Sequence, residues 1–314
     1  MSNGKTDTPR DLTIDRFRGA LVMLMVIGDY IAGISWIPAS LKHAHDIGFT
    51  IADMVAPAFM FVIALNLGPS LTRRLTNHGK ATTYRYFAKR WLIIFAIGFV
   101  ISTGALVVNQ YTGWVVLETL GVAGMITVLV VNLPIWARVF IASGVLVVYQ
   151  FVLDRWLLQF VLHTGHGGPF GALSWTAFLI LATVLADYWR SGLRPYLLAT
   201  GVLVVIAALS LWIVPISKNR VSLSYVLVAL SICAVIWLAL KLATGDRHEN
   251  AGVFVWWGQS ALVLYFTHLL LLALVALPPA AWWNADAPIW LVAIQLTVIL
   301  GVMTWVGRWR QRRR

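Results

Sequence analysis

Apolar residues run along this chain in long blocks, separated by short polar or basic stretches. Ten blocks are long enough to cross a bilayer as helices: roughly 18–37, 49–69, 86–106, 113–133, 135–153, 171–189, 195–214, 222–242, 254–278 and 286–306. A crossing needs about 20 mostly apolar residues, each advancing about 1.5 Å. The pattern predicts an all-α, polytopic transmembrane bundle of about ten helices. The fourth and fifth blocks are parted only by Asn132-Leu133-Pro134. Joined, they are too long for one crossing, and Pro134 favours a tight turn. The stretch 154–170, with its Gly and His content, reads as an irregular surface loop.

Composition sharpens this picture. Hydrophobic residues make up 60% of the 314 positions and charged residues 11%, against about a quarter charged in soluble domains. A water-soluble fold of this size is thereby excluded. The 16 Trp residues suit anchoring at the two bilayer interfaces. The single Cys233 excludes an intramolecular disulfide and a Cys-rich metal site.

The net charge of +12 invites a nucleic-acid reading, but its distribution argues against one. With the N-terminus placed inside, the inner segments and adjoining helix ends hold 20 of the 24 Lys and Arg residues. Only Lys42, Arg155, Lys218 and Arg220 fall outside. The positive-inside rule describes this asymmetry, so both termini are expected in the cytoplasm. The basic run GRWRQRRR then reads as an anchor near anionic lipid. The expected organisation is a cytoplasmic segment over 1–17, one membrane domain over 18–306 and a basic tail over 307–314. The first 18 residues are polar and no small-residue cleavage site closes the first apolar block, so that block is expected to remain as a membrane helix.

Ionisable groups within a membrane mark either a functional site or a structural pair. Here they are Asp29, Asp53, Glu118 and His268, which helix rise places at similar depth in the outer half of the bilayer. The first outer loop adds His43, His45 and Asp46. Each alone is as readily an interhelical hydrogen-bonder as a functional group; the group of four favours function. Two His at i, i+2 in a loop are a weak metal signature, and no metal is expected.

At these positions the chain resembles a known group of enzymes. Thr13-Ile14-Asp15-Arg16-Phe17-Arg18-Gly19 resembles the S-x-D-x-x-R-G opening of YeiB-like proteins and of the acyltransferase 3 superfamily. Leu41-Lys42-His43-Ala44, with Gly48-Phe49-Thr50 and Ile51-Ala52-Asp53-Met54-Val55-Ala56-Pro57-Ala58-Phe59-Met60-Phe61, is similar to the R-H-A-x-W-x-G-x-T-x-x-D-L-V-F-P-x-F-x-F block of the heparan-α-glucosaminide N-acetyltransferase family. Trp257-Gly258-Gln259-Ser260-Ala261-Leu262 and Tyr265-Phe266-Thr267-His268 resemble its G-x-N-S/A-L-x-x-Y-x-x-H helix. Glu118-Thr119-Leu120-Gly121 matches its L-Q-R-x-G element more faintly, without the Arg. Asp29 stands near a family Asn, and Asp46 where the family usually has Trp.

The resemblance implies a transmembrane acyltransferase. Such an enzyme carries an acetyl or other acyl group from cytosolic acyl-CoA to an amino or hydroxyl group of a sugar or glycan on the extracytoplasmic side. It places His43 at the catalytic histidine and Asp53 at the family's aspartate, with Asp29 as a further catalytic candidate. Imidazole suits the task, because an amine must lose a proton before it attacks a thioester; His43 either takes that proton or accepts the acyl group itself. Arg16, Arg18, Arg73, Arg74 and Arg90 are expected to hold the phosphates of acetyl-CoA, since guanidinium pairs with phosphate bidentately. His268, Tyr265, Glu118 and His45 are expected to line the substrate channel. The partners implied are acyl-CoA, the acceptor glycan and the lipid bilayer, with no nucleic acid; a homo-oligomer is left open. The bacterial inner membrane is the expected location. The competing readings are a proton-coupled transporter, which the buried carboxylates suit but which should show related halves, and a catalytically silent membrane subunit.

Overall fold

The computed structural model describes residues 11–107, 113–244 and 252–313. Residues 1–10 of the expected cytoplasmic segment, Arg247 of an expected inner loop and Arg314 of the tail lie outside them. Twelve α-helices follow in chain order among the described residues: α1 (Leu12–Ala32), α2 (Val55–His78), α3 (Lys80–Val107), α4 (Val116–Val130), α5 (Ile135–Val152), α6 (Leu158–Leu162), α7 (Gly168–Ser191), α8 (Leu193–Ser210), α9 (Leu223–Thr244), α10 (Val253–Gln259), α11 (Ala261–Ala276) and α12 (Ile289–Arg312). The chain is a polytopic helical bundle. Seven of the described helices are long and apolar enough to cross a membrane, or eight if the bent pair α10 and α11 counts as one span. Each of the ten apolar blocks contains helix. However, α1 carries Asp15, Arg16, Arg18 and Asp29 and α4 has only 15 residues, so neither is among the seven.

Three expectations need correction. First, α1 begins at Leu12 because the Asp11 side chain caps it, accepting from Thr13 N; an N-cap of this kind satisfies an otherwise orphaned amide. Second, the segment 154–170 is largely helical. A π-helical turn over Leu153–Leu157 continues α5 into α6, so only a short turn around Gly165–Gly167 is irregular. Third, the block 254–278 is not one straight helix. It bends by 93° between α10 and α11, at Ser260, so a depth for His268 counted along a straight helix does not hold. Helix rise places His268 about two turns beyond the bend.

The chain divides into two compact units, one of residues 11–37 and 237–313, the other of 38–236. In the first, α1 packs along α10, α11 and α12. Its contact with α10 is backbone to backbone: a Cβ on Gly19 would fall 1.9 Å from the Phe254 carbonyl oxygen, and one on Gly258 1.9 Å from that of Asp15. Arg18 stitches the same seam, its Nη1 donating to the Gly258 carbonyl at 3.3 Å and to Asp15 at 3.2 Å. Because backbone, not a flexible side chain, would have to give way, Gly258→Ala is expected to lower the apparent Tm by several degrees, in line with an overpacking cost of about 1–3 kcal/mol. A thermal melt followed by fluorescence-detected size exclusion checks this.

In the second unit α7 is the hub. It packs against α2, α4, α5 and α8, and its membrane-length window is 78% buried. An all-round apolar sequence with Ser and Thr suits such a central position. Thr176 and Thr183 return their hydroxyls to carbonyls of α7 itself. Arg138 of α5 is nearly fully buried; it pairs with Asp187 of α7 and donates to Thr183 Oγ1, while Arg190 binds the same carboxylate and the Leu65 carbonyl of α2. A buried cation without a carboxylate is costly, and Asp187 meets that need.

Candidate functional site

His43 and Asp53 meet in the second unit. The loop before α2 is extended at Lys42 and ends in a 3₁₀ turn over Ala52–Met54. Asp53 therefore stands on that turn, at the head of α2. Its side chain is fully buried (0% exposed) while the His43 side chain is 44% exposed. Asp53 Oδ1 lies 2.8 Å from His43 Nδ1. Its Oδ2 accepts from Thr50 N and Thr50 Oγ1, each at 3.0 Å, and from Ala44 N at 3.4 Å. The Asp53 carbonyl accepts from the Tyr225 hydroxyl of α9 at 2.8 Å.

These contacts fix the tautomer. An ionised carboxylate only accepts, so Nδ1 of His43 carries the proton and donates. In the neutral ring Nε2 then carries the lone pair. A histidine oriented by a carboxylate in this way is a recurrent general-base arrangement.

A second strand of chain holds this loop in place. Lys218 Nζ lies 3.7 Å from Asp53 Oδ1. Asp46 forms an ion pair with Arg220, whose Nε donates to both carboxylate oxygens, at 2.8 and 3.1 Å. Ser217 Oγ donates to Asp46 at 2.8 Å. Asn219 donates to the His45 carbonyl, and Gly48 N to the Ile216 carbonyl at 2.9 Å. Asp46, standing where the resembling family has Trp, thus pairs with a cation of the α8–α9 connection.

The Arg220 hydrogen bond beside Asp46 holds its carboxyl below the usual carboxylate value. A carboxyl so lowered contributes stability that is complete above its ordinary value near pH 4 and is lost as pH falls through the lowered one. Asp46→Asn is therefore expected to melt below wild type at neutral pH, with the gap closing as pH drops below about 4. Parallel melts across pH check it.

The other expected site residues are spread over both units. In the first unit, His268 Nε2 lies 3.1 Å from Asp29 Oδ2. Here the imidazole is fully buried and the carboxylate 42% exposed, and the Tyr265 ring meets His268 edge-on at 5.3 Å. The two pairings join residues some 240 positions apart in one case and ten in the other. Glu118 accepts from Ser102 Oγ at 3.2 Å and from Val115 N at 2.8 Å, which ties α4 to α3 and caps the start of α4. His45 is exposed and holds the loop through its carbonyl.

Of the basic candidates, Arg18 is 25% exposed and bonded into the α1–α10 seam, and Arg16 is half-buried. Arg73 and Arg74 close α2, and Arg90 lies on α3. Arg74 stacks over Tyr86 at 3.4 Å, and Arg90 over Trp91 at 5.2 Å. Sequence reasoning did not select Lys218, Arg220 or Ser217. The available signal was that Lys218 and Arg220, with Lys42 and Arg155, break the charge asymmetry that the other 20 basic residues obey.

Fold and site together define a multi-pass membrane protein with a carboxylate-oriented histidine at the head of its second helix. The family model described as "Heparan-alpha-glucosaminide N-acetyltransferase, catalytic" matches residues 10–191, more than half of the chain, and the chain belongs to that family. The human protein named heparan-alpha-glucosaminide N-acetyltransferase is 33% identical over 96 residues, 30% of this chain. That match spans 14% of the human protein's length. The family match takes in His43 and Asp53 and stops short of Lys218 and Arg220.

Proposed function

We propose that this protein is a membrane acyltransferase that moves an acetyl group, or a related acyl group, from acyl-CoA to an amino or hydroxyl group of a sugar or glycan. The observation that carries this reading is the His43–Asp53 pair, with its imidazole exposed and its carboxylate buried. His43 Nε2 takes the proton from the acceptor N–H or O–H as the new bond to the acyl carbon forms. The C–S bond breaks, and the proton passes on to the thiolate, which leaves as CoA-SH. Asp53 keeps the ring turned and stabilises the transient imidazolium.

Under this proposal the donor approaches from the cytoplasmic side and the acceptor from the other side, with Arg16 and Arg18 of the first unit and Arg73, Arg74 and Arg90 of the second as candidate phosphate contacts. Tyr265, His268 and Asp29, which meet within the first unit, are further candidate substrate contacts. The test uses sealed proteoliposomes with an amino sugar trapped inside and acetyl-labelled CoA outside. Label appearing covalently on the trapped sugar supports the transferase. Passage of unmodified sugar or of acetyl-CoA across the membrane, without acetylated product, supports a carrier instead.

A further inference from the structure

The chemistry of the His43–Asp53 pair leaves one close cation unexplained. Lys218 is nearly buried, with its side chain 10% exposed, and its ammonium lies 3.7 Å from the same Asp53 oxygen that accepts from His43. Lysines are rarely so buried unless a partner or a task holds them.

The backbone that carries Lys218 is fixed with unusual care. Val221 N donates to the Lys218 carbonyl at 3.1 Å and Ser222 N to the Ser217 carbonyl at 3.1 Å. Arg220 N donates to Ser217 Oγ at 3.2 Å, and Ser217 N to Ser222 Oγ at 3.1 Å. Val221 itself sits at φ +50°, a conformation that a β-branched residue adopts only under strain. Ser174 of α7 holds it there, donating to its carbonyl at 2.8 Å. Strain of this kind persists where the surroundings over-determine the position, and it gathers at functional sites.

We infer that Lys218 is a positioning residue of the acyl-transfer site: its ammonium shares the Asp53 carboxylate with His43 and thereby keeps the imidazole neutral and ready to accept a proton. Its role in acyl transfer rests on the function proposed above; its effect on the imidazole does not. The physical basis is simple. A cation beside the carboxylate offsets the attraction that would otherwise draw a second positive charge onto the ring. The charged or titratable groups around His43 include Asp53 at the head of α2, Lys218 in the α8–α9 connection and His166 in the turn before α7, and its own loop adds Lys42 and His45. The neighbouring Asp46 and Arg220 compensate each other. Lys218 is thus the cation that shares the Asp53 oxygen with His43.

The test reads the imidazole directly. Diethyl pyrocarbonate attacks a histidine only in its neutral form, and peptide mass mapping follows its addition at His43 as a function of pH, separately from the other histidines and from lysines. In Lys218→Met the midpoint of this addition is expected to move to higher pH by about one unit, and Lys218→Arg is expected to restore the wild-type curve. The acidic limb of kcat/KM for acyl transfer should move by the same amount. Lys218→Gln serves as a second variant if the Met form does not elute as a single species. Curves for Lys218→Met or Lys218→Gln that overlay wild type overturn the inference. A shifted labelling curve in a protein that transfers no acyl group to any acceptor upholds the role of Lys218 and contradicts the proposed function instead.

Discussion

Replacing His43 by Ala is expected to lower acceptor-dependent acyl transfer by about 10²- to 10⁴-fold, the range that general-base assistance supplies, while leaving the thermal stability close to wild type. The two halves of this expectation have separate causes. The imidazole is 44% exposed, so little packing is lost with it. Asp53 retains its bonds from Thr50 and Ala44 and its ion pair with Lys218, so the buried carboxylate is not stranded. Steady-state CoA release together with a melt of the same preparation separates the two. A fall in activity that merely tracked a fall in Tm would assign His43 a structural role.

The second large effect falls on the partner. Asp53→Ala is expected to cost activity on the same scale and, unlike His43→Ala, to destabilise the fold by about 3 kcal/mol. Asp53 is fully buried and gathers Thr50, Ala44, His43 and Lys218 around one carboxylate. Truncation leaves the donors of the loop without their acceptor and the nearly buried Lys218 without its carboxylate. Asp53→Asn keeps the shape and removes the charge. It is expected to recover part of the stability and little of the activity, because an amide does not stabilise the imidazolium. Equal recovery of both would argue that Asp53 acts only as a loop clasp.

Much of the architecture is written in apolar periodicity. Every one of the ten apolar blocks contains helix, since a stretch of that length must satisfy its backbone internally wherever lipid surrounds it. What the blocks hide is where a helix turns within them. Ser260 interrupts a run that reads as continuous, and the polar Gln259-Ser260 pair was its only mark. The π-helical turn at Leu153–Leu157 shows the opposite failure. The Gly and His content of 154–170 reads as loop, yet Asp154 accepts twice from Gln150 one turn back and so extends the helix.

The site was half legible. His43 and Asp53 are ten residues apart, and their motif places them in one loop. Lys218 and Arg220 reach that loop from more than 160 positions further along, and no local pattern encodes such a contact. Their trace in the sequence is electrostatic: two of the four cations on the basic-poor side answer two acidic residues of the first loop, Lys218 to Asp53 and Arg220 to Asp46. Reading misplaced charges as halves of pairs would have linked the two segments.

If the His43–Asp53 pair transfers an acyl group from a CoA thioester, its loss must stop the release of CoA thiol. The most direct measurement is the release of CoA thiol from acetyl-CoA by the purified protein in nanodiscs, over a panel of amino sugars, with wild type and His43→Ala side by side. The account predicts acceptor-dependent release by wild type and its loss in the variant. Release that survives in His43→Ala, or acetyl-CoA that is neither bound nor cleaved with any acceptor, would contradict it.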